Sequence, residues 1–254
     1  DAESVINELV IFMASGDNIQ HVVDLTGKLT SVSTTENGGR TYKLQAPITT
    51  DAAGKEILSG TYTIYSVANS GSEFCNLNKA ELLGFTKVSE LTAALAENKS
   101  NTTVLSTALP MSGKEENVEI LPIESDNSAT TTAPDGNKLS LHLRRLTAHV
   151  EFIFANGQND ENPKFVPTSY SIYNLPKNAK VISSDNNTLS SNSYQNIENI
   201  EIAGSAIEFF MLENPQEYNS NCTSYGLRDA WDNGSQAAPT KPSDKKFKYA
   251  PEDG

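Results

Sequence analysis

The sequence predicts an all-β protein made of antiparallel β-sandwich layers. Three observations lead to this prediction. Short runs of β-branched and aromatic residues are separated by glycine, proline and asparagine turns. Helical periodicity is scarce and does not alternate with the strands, as it would around a parallel sheet. One strand candidate is apolar at consecutive positions, which is typical of a strand covered on both faces.

Five short strand candidates follow one another along the chain. The first ends in the apolar run Leu9-Val10-Ile11-Phe12-Met13, and the second is entered and left through glycine turns. The fourth is expected to stop at Asn174. The five candidates are residues 5–13, 58–68, 118–122, 169–173 and 206–212.

Residues 139–154 form a sixth candidate, and its apolar pattern changes phase. The apolar residues occupy odd positions up to Leu143 and even positions from Leu146 onward. Side chains alternate between the two faces of a strand, so this slip would turn every later side chain outward. We therefore expect a β-bulge or sharp bend at Arg144-Arg145. The alternative is two separate strands with a corner between them.

Two segments between the strands have helical character. Residues 87–99 carry apolar side chains at helical spacing, and Thr86 is the expected N-cap. The segment Asn78-Lys79-Ala80-Glu81 has the pattern of a capping box and is expected to open a single turn.

Residues 124–136 mark the expected domain boundary. This stretch contains no large apolar residue and is therefore expected to lie on the surface as a loop or linker. It divides the chain into residues 1–133 and 134–254, and each part is long enough for one sandwich of roughly 100 residues. Residues 233–254 are a second polar, proline-containing zone.

Composition excludes two classes of partner. The 254 residues carry a net charge of −13, which argues against binding the phosphates of a nucleic acid. No run approaches the roughly 20 apolar residues of a transmembrane helix. The two cysteines, Cys75 and Cys222, are either free thiols, which the low cysteine content favours, or one disulfide.

No catalytic, cofactor-binding or metal-binding residue is assigned, and the sequence is not expected to be that of an enzyme. Ser243 and Lys246 match Ser-x-x-Lys but lack supporting context. The three histidines, His21, His142 and His149, have no ligand cluster beside them, so a paired surface histidine is favoured over a metal ligand. Residues 229–234 match only a fragment of a calcium loop. Trp231, at the same place, is expected to be a packing residue rather than a sugar-stacking one.

Six short segments, taken in chain order, resemble the fimbrillins of Bacteroidales, pilins and fimbrillin-like lipoproteins of the FimA/Mfa type. His149 stands where those proteins usually have lysine. The segments are the strand at 5–13, Ser59 to Asn69, the Pro-Met-Ser-Gly segment at 110–113, Leu143 to Val150, Ile172 to Pro176, and Phe210 to Asn214.

The resemblance implies two tandem transthyretin-like β-sandwich domains, with a short helix in the first. Set beside the family pattern, the second is either a short domain or incomplete at its C-terminal end. It implies export as a lipoprotein to the outer membrane and cell surface, with Asp1 near the start of the matured chain. The expected function is that of a structural or accessory fimbrial subunit that exchanges β-strands with other subunits, the groove lying beside the strand at 5–13. The alternative is a surface adhesin or glycan-binding module with host proteins or glycans as partners.

Overall fold

The computed structural model describes residues 5–34, 40–71, 77–97, 108–121, 139–153, 168–182, 194–202 and 206–212. The chain divides into two compact units, residues 1–183 with 194–213, and residues 184–193 with 214–254. Every described residue lies in the first unit. The architecture of this part is antiparallel β-sheet with few helices, which confirms the predicted all-β class.

The described residues contain 13 strands and two short helices. The strands are β1 Leu9–Ser15, β2 Asn18–Asp24, β3 Leu29–Thr34, β4 Arg40–Leu44, β5 Gly60–Ala68, β6 Leu95–Glu97, β7 Met111–Ile120, β8 Arg144–Arg145, β9 Thr147–Ile153, β10 Ser169–Pro176, β11 Asn178–Lys180, β12 Tyr194–Glu201 and β13 Ala206–Leu212. The helices are α1 Lys79–Gly84 and α2 Val88–Ala93.

Five of these strands form the main sheet, in the order β2-β1-β5-β7-β8. Strand β1 is antiparallel to both neighbours, pairing Val10 with Asp24 of β2 and with Val67 of β5. The other strands form two-stranded antiparallel sheets, namely β3 with β4, β6 with β11, β9 with β13, and β10 with β12.

Strand β1 separates two apolar cores, because its side chains alternate between the faces of the main sheet. Phe12 lies in the first core, with Tyr65, Leu82, Leu91 and the later residues Leu146 and Leu212. Ile11 lies in the second core, with Ile64 and Met111. Six of the seven β1 residues are buried, which confirms that this strand is covered on both faces.

A third apolar cluster joins two of the small sheets. Leu175 of β10 packs with Ile207 and Phe209 of β13, and Val150 of β9 and Ile197 of β12 lie against them. The side chains of the β9–β13 and β10–β12 pairs therefore share one core, as in a sandwich.

The observed strands match the predicted ones to different extents. The candidate at 206–212 is β13, and that at 58–68 is β5 with a later start. Residues 118–122 overlap only the end of the longer β7, and β10 continues past Asn174 to Pro176. The first strand begins at Leu9 rather than Val5, because the backbone of residues 5–8 is bound by the side chains of Asn69 and Tyr42 and, at Glu8 O, by the Asn69 N–H, rather than by a regular ladder.

At Arg144-Arg145 the structure has a corner between two separate strands, which was the alternative, and not a β-bulge within one strand. Arg144 and Arg145 pair with Ser112 and Met111 of the main sheet as β8. After Leu146 the chain continues as β9, which pairs with β13 instead. Leu146 is buried, and its N–H donates to Pro110 O at 2.9 Å. The phase slip thus marks a change of sheet.

The helix expected at 87–99 is shorter than predicted. Its N-cap is Lys87 rather than Thr86, and it ends at Ala93. Residues 95–97 instead form β6, which pairs with β11, a strand more than 80 positions later in the chain. This distant pairing overrides the helical propensity of the Ala- and Glu-rich segment. Helix α1 does begin with the predicted capping box of Asn78 and Glu81.

The predicted division at 133/134 and the linker at 124–136 lie outside the described residues, so two tandem domains stay a prediction.

Candidate assembly site

Asn69 holds the segment that leads into β1. Its side-chain Oδ1 accepts from the N–H of Asn7 at 2.9 Å and of Glu8 at 3.4 Å. Its Nδ2 donates to Val5 O at 2.8 Å and to Leu109 O at 2.7 Å. The residue is buried and has a φ of 56°, a left-handed conformation that asparagine tolerates better than most residues.

Two further contacts hold the same segment. Tyr42 of β4 accepts from the N–H of Ile6 through its hydroxyl at 3.0 Å. Ser70 is fully buried, and its hydroxyl donates to the carboxylate of Glu8. The amino-terminal segment is therefore bound to β4, to the end of β5 and to the start of β7, before its own ladder begins.

The outer edge of β2 is covered by two connections. The N–H of Ala52 donates to Val22 O at 2.8 Å, and the N–H of Ile19 donates to Thr86 O at 3.0 Å. Asp17, in the β1–β2 turn, accepts from the N–H of Ser89 at 2.8 Å. Since β1 itself pairs on both sides, the expected acceptor groove does not lie directly beside it.

At the opposite edge of the main sheet, the described residues pair with only a small part of the outer side of β7. Strand β7 has ten residues, and β5 pairs with it from end to end. On its outer side, β8 pairs only with Met111 and Ser112. Among the described residues no other strand pairs with β7, so the outer side from Gly113 to Ile120 has no ladder partner there.

The outer edge of β7 carries charged side chains and a β-bulge. Tyr62 of β5 is opposite Val118, whereas Ile64 is opposite Glu115, so two β7 residues face Thr63. Asn117, at the bulge, has a φ of 55°. Glu115, Glu116, Glu119 and Lys114 make the edge mainly acidic. Charges and bulges are common means of protecting an edge from indiscriminate pairing.

Residues 139–143 leave the sheet edge and cross over its face. A Cβ atom at Gly113 would overlap the carbonyl oxygen of His142 and would lie 2.9 Å from Ser66 Oγ. Cβ atoms point away from the sheet plane, so this crossing takes place above Gly113. Leu141 and Leu143 pack there against the second core. The crossing explains why β8 has only two residues.

One side-chain pair fixes the crossing segment. His142 Nδ1 lies 2.9 Å from Glu115 Oε1, which also accepts from the His142 N–H at 3.4 Å. The hydrogen bond from the His142 side chain lowers the pKa of Glu115 below its ordinary value. The imidazole is 87% exposed, so the tie is at the surface.

The three histidines lie apart and each faces one carboxylate. His21 Nδ1 is 3.0 Å from Asp51 Oδ2 in a buried pair. His149 Nε2 is 2.9 Å from Glu208 Oε1, and its ring stacks on Phe210 with centroids 4.5 Å apart. Within the described ranges no three His, Cys, Asp or Glu side chains are grouped to hold a metal ion.

Sequence reasoning missed the two residues on which this site depends. Asn69 and Gly113 were recognised only as parts of family-like segments, and neither was assigned a role. A buried amide flanked by Ala and Ser, and a lone glycine inside a strand, are the signals that could have found them. Cys75, Cys222, Trp231 and the segments at 229–234 and 243–246 lie outside the described residues.

The fold and the site define a class: an antiparallel β-protein in which residues 5–8 are bound by side chains and the described residues cover one sheet edge only in part. The family model for the major fimbrial subunit protein (FimA) matches residues 1–145. The chain belongs to this family. The matched part contains Asn69, the whole of β7, and β8.

A fimbrial assembly protein from Parabacteroides distasonis ATCC 8503 has a solved structure that is similar to this chain. The similarity covers 86% of this chain and 72% of that one, at 14% sequence identity and a TM-score of 0.48. No curated protein matches the chain. No described helix is long and apolar enough to cross a membrane.

Proposed function

We propose that this chain is a structural or accessory subunit of a cell-surface fimbria that takes up a β-strand from a neighbouring subunit at the outer edge of β7. Membership of the fimbrial subunit family supports the first part. The uptake of a strand is supported by one observation: β8 pairs only with Met111 and Ser112 of the ten-residue strand β7. The role is structural and involves no catalytic residue.

An unpaired strand edge is a template for another strand, because its N–H and C=O groups point outward at regular spacing. Each ladder hydrogen bond contributes about 0.5–1.5 kcal/mol net. Among the described residues a ladder covers only Met111 and Ser112 on the outer side of β7, so an added strand could form several such bonds there. Side chains of the added strand would also extend the apolar faces of the main sheet, which carry the two cores.

The sequence contains a segment whose charge complements this edge. Residues 245–250 read Lys-Lys-Phe-Lys-Tyr-Ala, in which aromatic and basic side chains alternate as in a half-buried strand. In that alternation Lys246 and Lys248 lie on one face of the strand, and their charges complement those of Glu115, Glu116 and Glu119 on β7. We propose this segment of a second copy as the donor strand.

A peptide of residues 244–251 tests the proposal. Adding it to the full chain is expected to slow amide hydrogen exchange at Gly113–Ile120 and to leave exchange in β2 unchanged. A scrambled peptide of the same composition serves as the control, since it keeps the charge but loses the alternation. Equal protection by both peptides, or no protection at β7, would contradict strand uptake.

Charge reversal at the edge tests the complementarity. Glu119 is exposed on β7, and Glu119→Lys is expected to weaken peptide binding about three- to tenfold at low salt, with a smaller effect at high salt. Glu198→Lys, an equally exposed change on β12, is the matched control and should leave the affinity unchanged. Equal losses in both variants would mean that only net charge matters.

Export as a lipoprotein to the outer membrane is the localisation we propose. Family membership supports a place on the cell surface, and a net charge of −13 suits a protein that stays dispersed in solution. Treating intact cells with a protease should digest the protein, whereas a periplasmic marker should remain intact. Survival of the protein in that experiment would rule out surface display.

A second candidate function is binding of a host protein or glycan. Exposed aromatic side chains favour it: Tyr173 of β10 is 58% exposed and Phe152 of β9 is 54% exposed. Such rings can stack on sugars. Replacing Tyr173 with alanine should abolish retention on a host-cell glycan that the full chain binds, and should leave assembly unchanged.

A further inference from the structure

We propose that residues 139–143 form a displaceable strap that occupies part of the space that the incoming strand needs at β7. This inference rests on the proposed function, because it concerns regulation of the same edge. The strap would keep the unassembled subunit covered and would move away when a second copy supplies its strand.

The first observation is the side-chain pattern of the strap. Leucines occupy alternate positions, 139, 141 and 143. Leu141 and Leu143 are partly buried and pack against the second core, as do Val118 and Ile120 of β7. An incoming strand beside β7 would direct alternate side chains toward the same core, so it would compete with these leucines for apolar contact.

The second observation is the lack of regular backbone pairing. Residues 139–143 adopt no strand, and in the described part of the chain they form no ladder with β7. The strap therefore covers the core without using the hydrogen-bonding groups of the edge. A donated strand gains both the ladder and the apolar contacts, which gives it an advantage over the strap.

The third observation is how lightly the strap is fixed. Its polar tie is the pair of His142 with Glu115, in which the imidazole is 87% exposed. Exposed pairs of this kind contribute little to stability. Gly113 permits the crossing, because any side chain there would collide with the His142 carbonyl. Among the contacts of the described residues, the strap is held by Leu141, Leu143 and the surface pair of His142 with Glu115.

His142→Ala tests the strap without disturbing a buried group. It removes the imidazole contact with Glu115 and leaves the longer hydrogen bond from the His142 N–H, and we expect it to raise the affinity for the 244–251 peptide about two- to fivefold. His149→Ala is the matched control, because it removes a His–Glu pair of the same 2.9 Å distance on β9 and β13. The control should bind the peptide as the unmodified chain does.

Hydrogen exchange supplies the second measurement, in the unmodified chain. When the peptide protects Gly113–Ile120, the amides of residues 139–143 should exchange faster than before. Protection at β7 with unchanged exchange at 139–143, or equal peptide affinity of His142→Ala and the unmodified chain, would overturn the strap and leave strand uptake standing. Failure of the peptide to protect β7 in any variant would overturn both.

Discussion

Asn69 is a buried amide whose four side-chain contacts are all with main-chain atoms. Three of these atoms belong to residues 5–8, and the fourth is Leu109 O, just before β7. An amide has two donors and can accept two bonds, so this side chain is fully satisfied. One residue therefore links the entry of β1 to the end of β5 and the start of β7.

Asn69→Ala should destabilise the protein by about 3 kcal/mol. Buried main-chain groups would lose their hydrogen-bond partners, and alanine is strained at a positive φ. Asn69→Gly loses the same hydrogen bonds but tolerates the backbone conformation, so it should cost about 1 kcal/mol less. Urea unfolding measures both. A loss below about 1 kcal/mol in either variant would contradict this role.

Asp51 gives the fold a dependence on pH. Burial alone would raise its pKa, but hydrogen bonds from His21 and from the N–H groups of Lys55 and Ala53 lower that pKa below its ordinary value. A lowered carboxylate pKa stabilises the folded state above the ordinary value and loses that effect as pH falls through the folded-state pKa.

We therefore expect the unmodified chain to lose stability below about pH 4, and Asp51→Asn to lose less over the same range. At pH 7 the variant should be the less stable of the two, because His21 and the turn at 51–55 lose their charged acceptor. Urea unfolding between pH 7 and 2.5 measures the difference. Parallel pH profiles would show that Asp51 is not the group responsible.

At the scale of elements, the short β8 and the strap have the same cause. Residues 139–143 lie over the face of the main sheet instead of continuing beside β7. Residues 144 and 145 run beside β7, and residues 139–143 cross its face. Gly113 makes room for the crossing, because it is the one residue of β7 without a side chain. In the described part of the chain, the short ladder on the outer side of β7 and the cover over the second core therefore arise together. Gly113 is the position at which this arrangement can be broken.

Gly113→Ala should destabilise the protein by about 2 kcal/mol or more, because the new methyl group meets backbone atoms that cannot move aside easily. Gly84→Ala is the matched control. Gly84 ends α1 and has no atom within 4 Å of an added Cβ, so that change should be nearly neutral. Thermal unfolding compares them, and equal midpoints would contradict the close crossing.

At the scale of the whole molecule, local sequence patterns predicted the strands and turns that are determined by residues close together in the chain. Alternation and turn residues identified β5 and β13, and the phase slip located the corner at Leu146. The strand β6 could not be found in this way, since its pairing with β11 depends on residues far along the chain. The strap was equally hidden, because its leucines alternate as in a strand but lie across the sheet.

The placement of β1 also has a mechanical consequence. Tension entering through residues 5–8 would first meet the contacts of Asn69 and then pull β1 lengthwise between β2 and β5. Both ladders would be loaded in shear, so several hydrogen bonds on each side would have to break together. Resistance to force is governed by the unfolding rate, and this arrangement favours a slow rate when tension enters through residues 5–8.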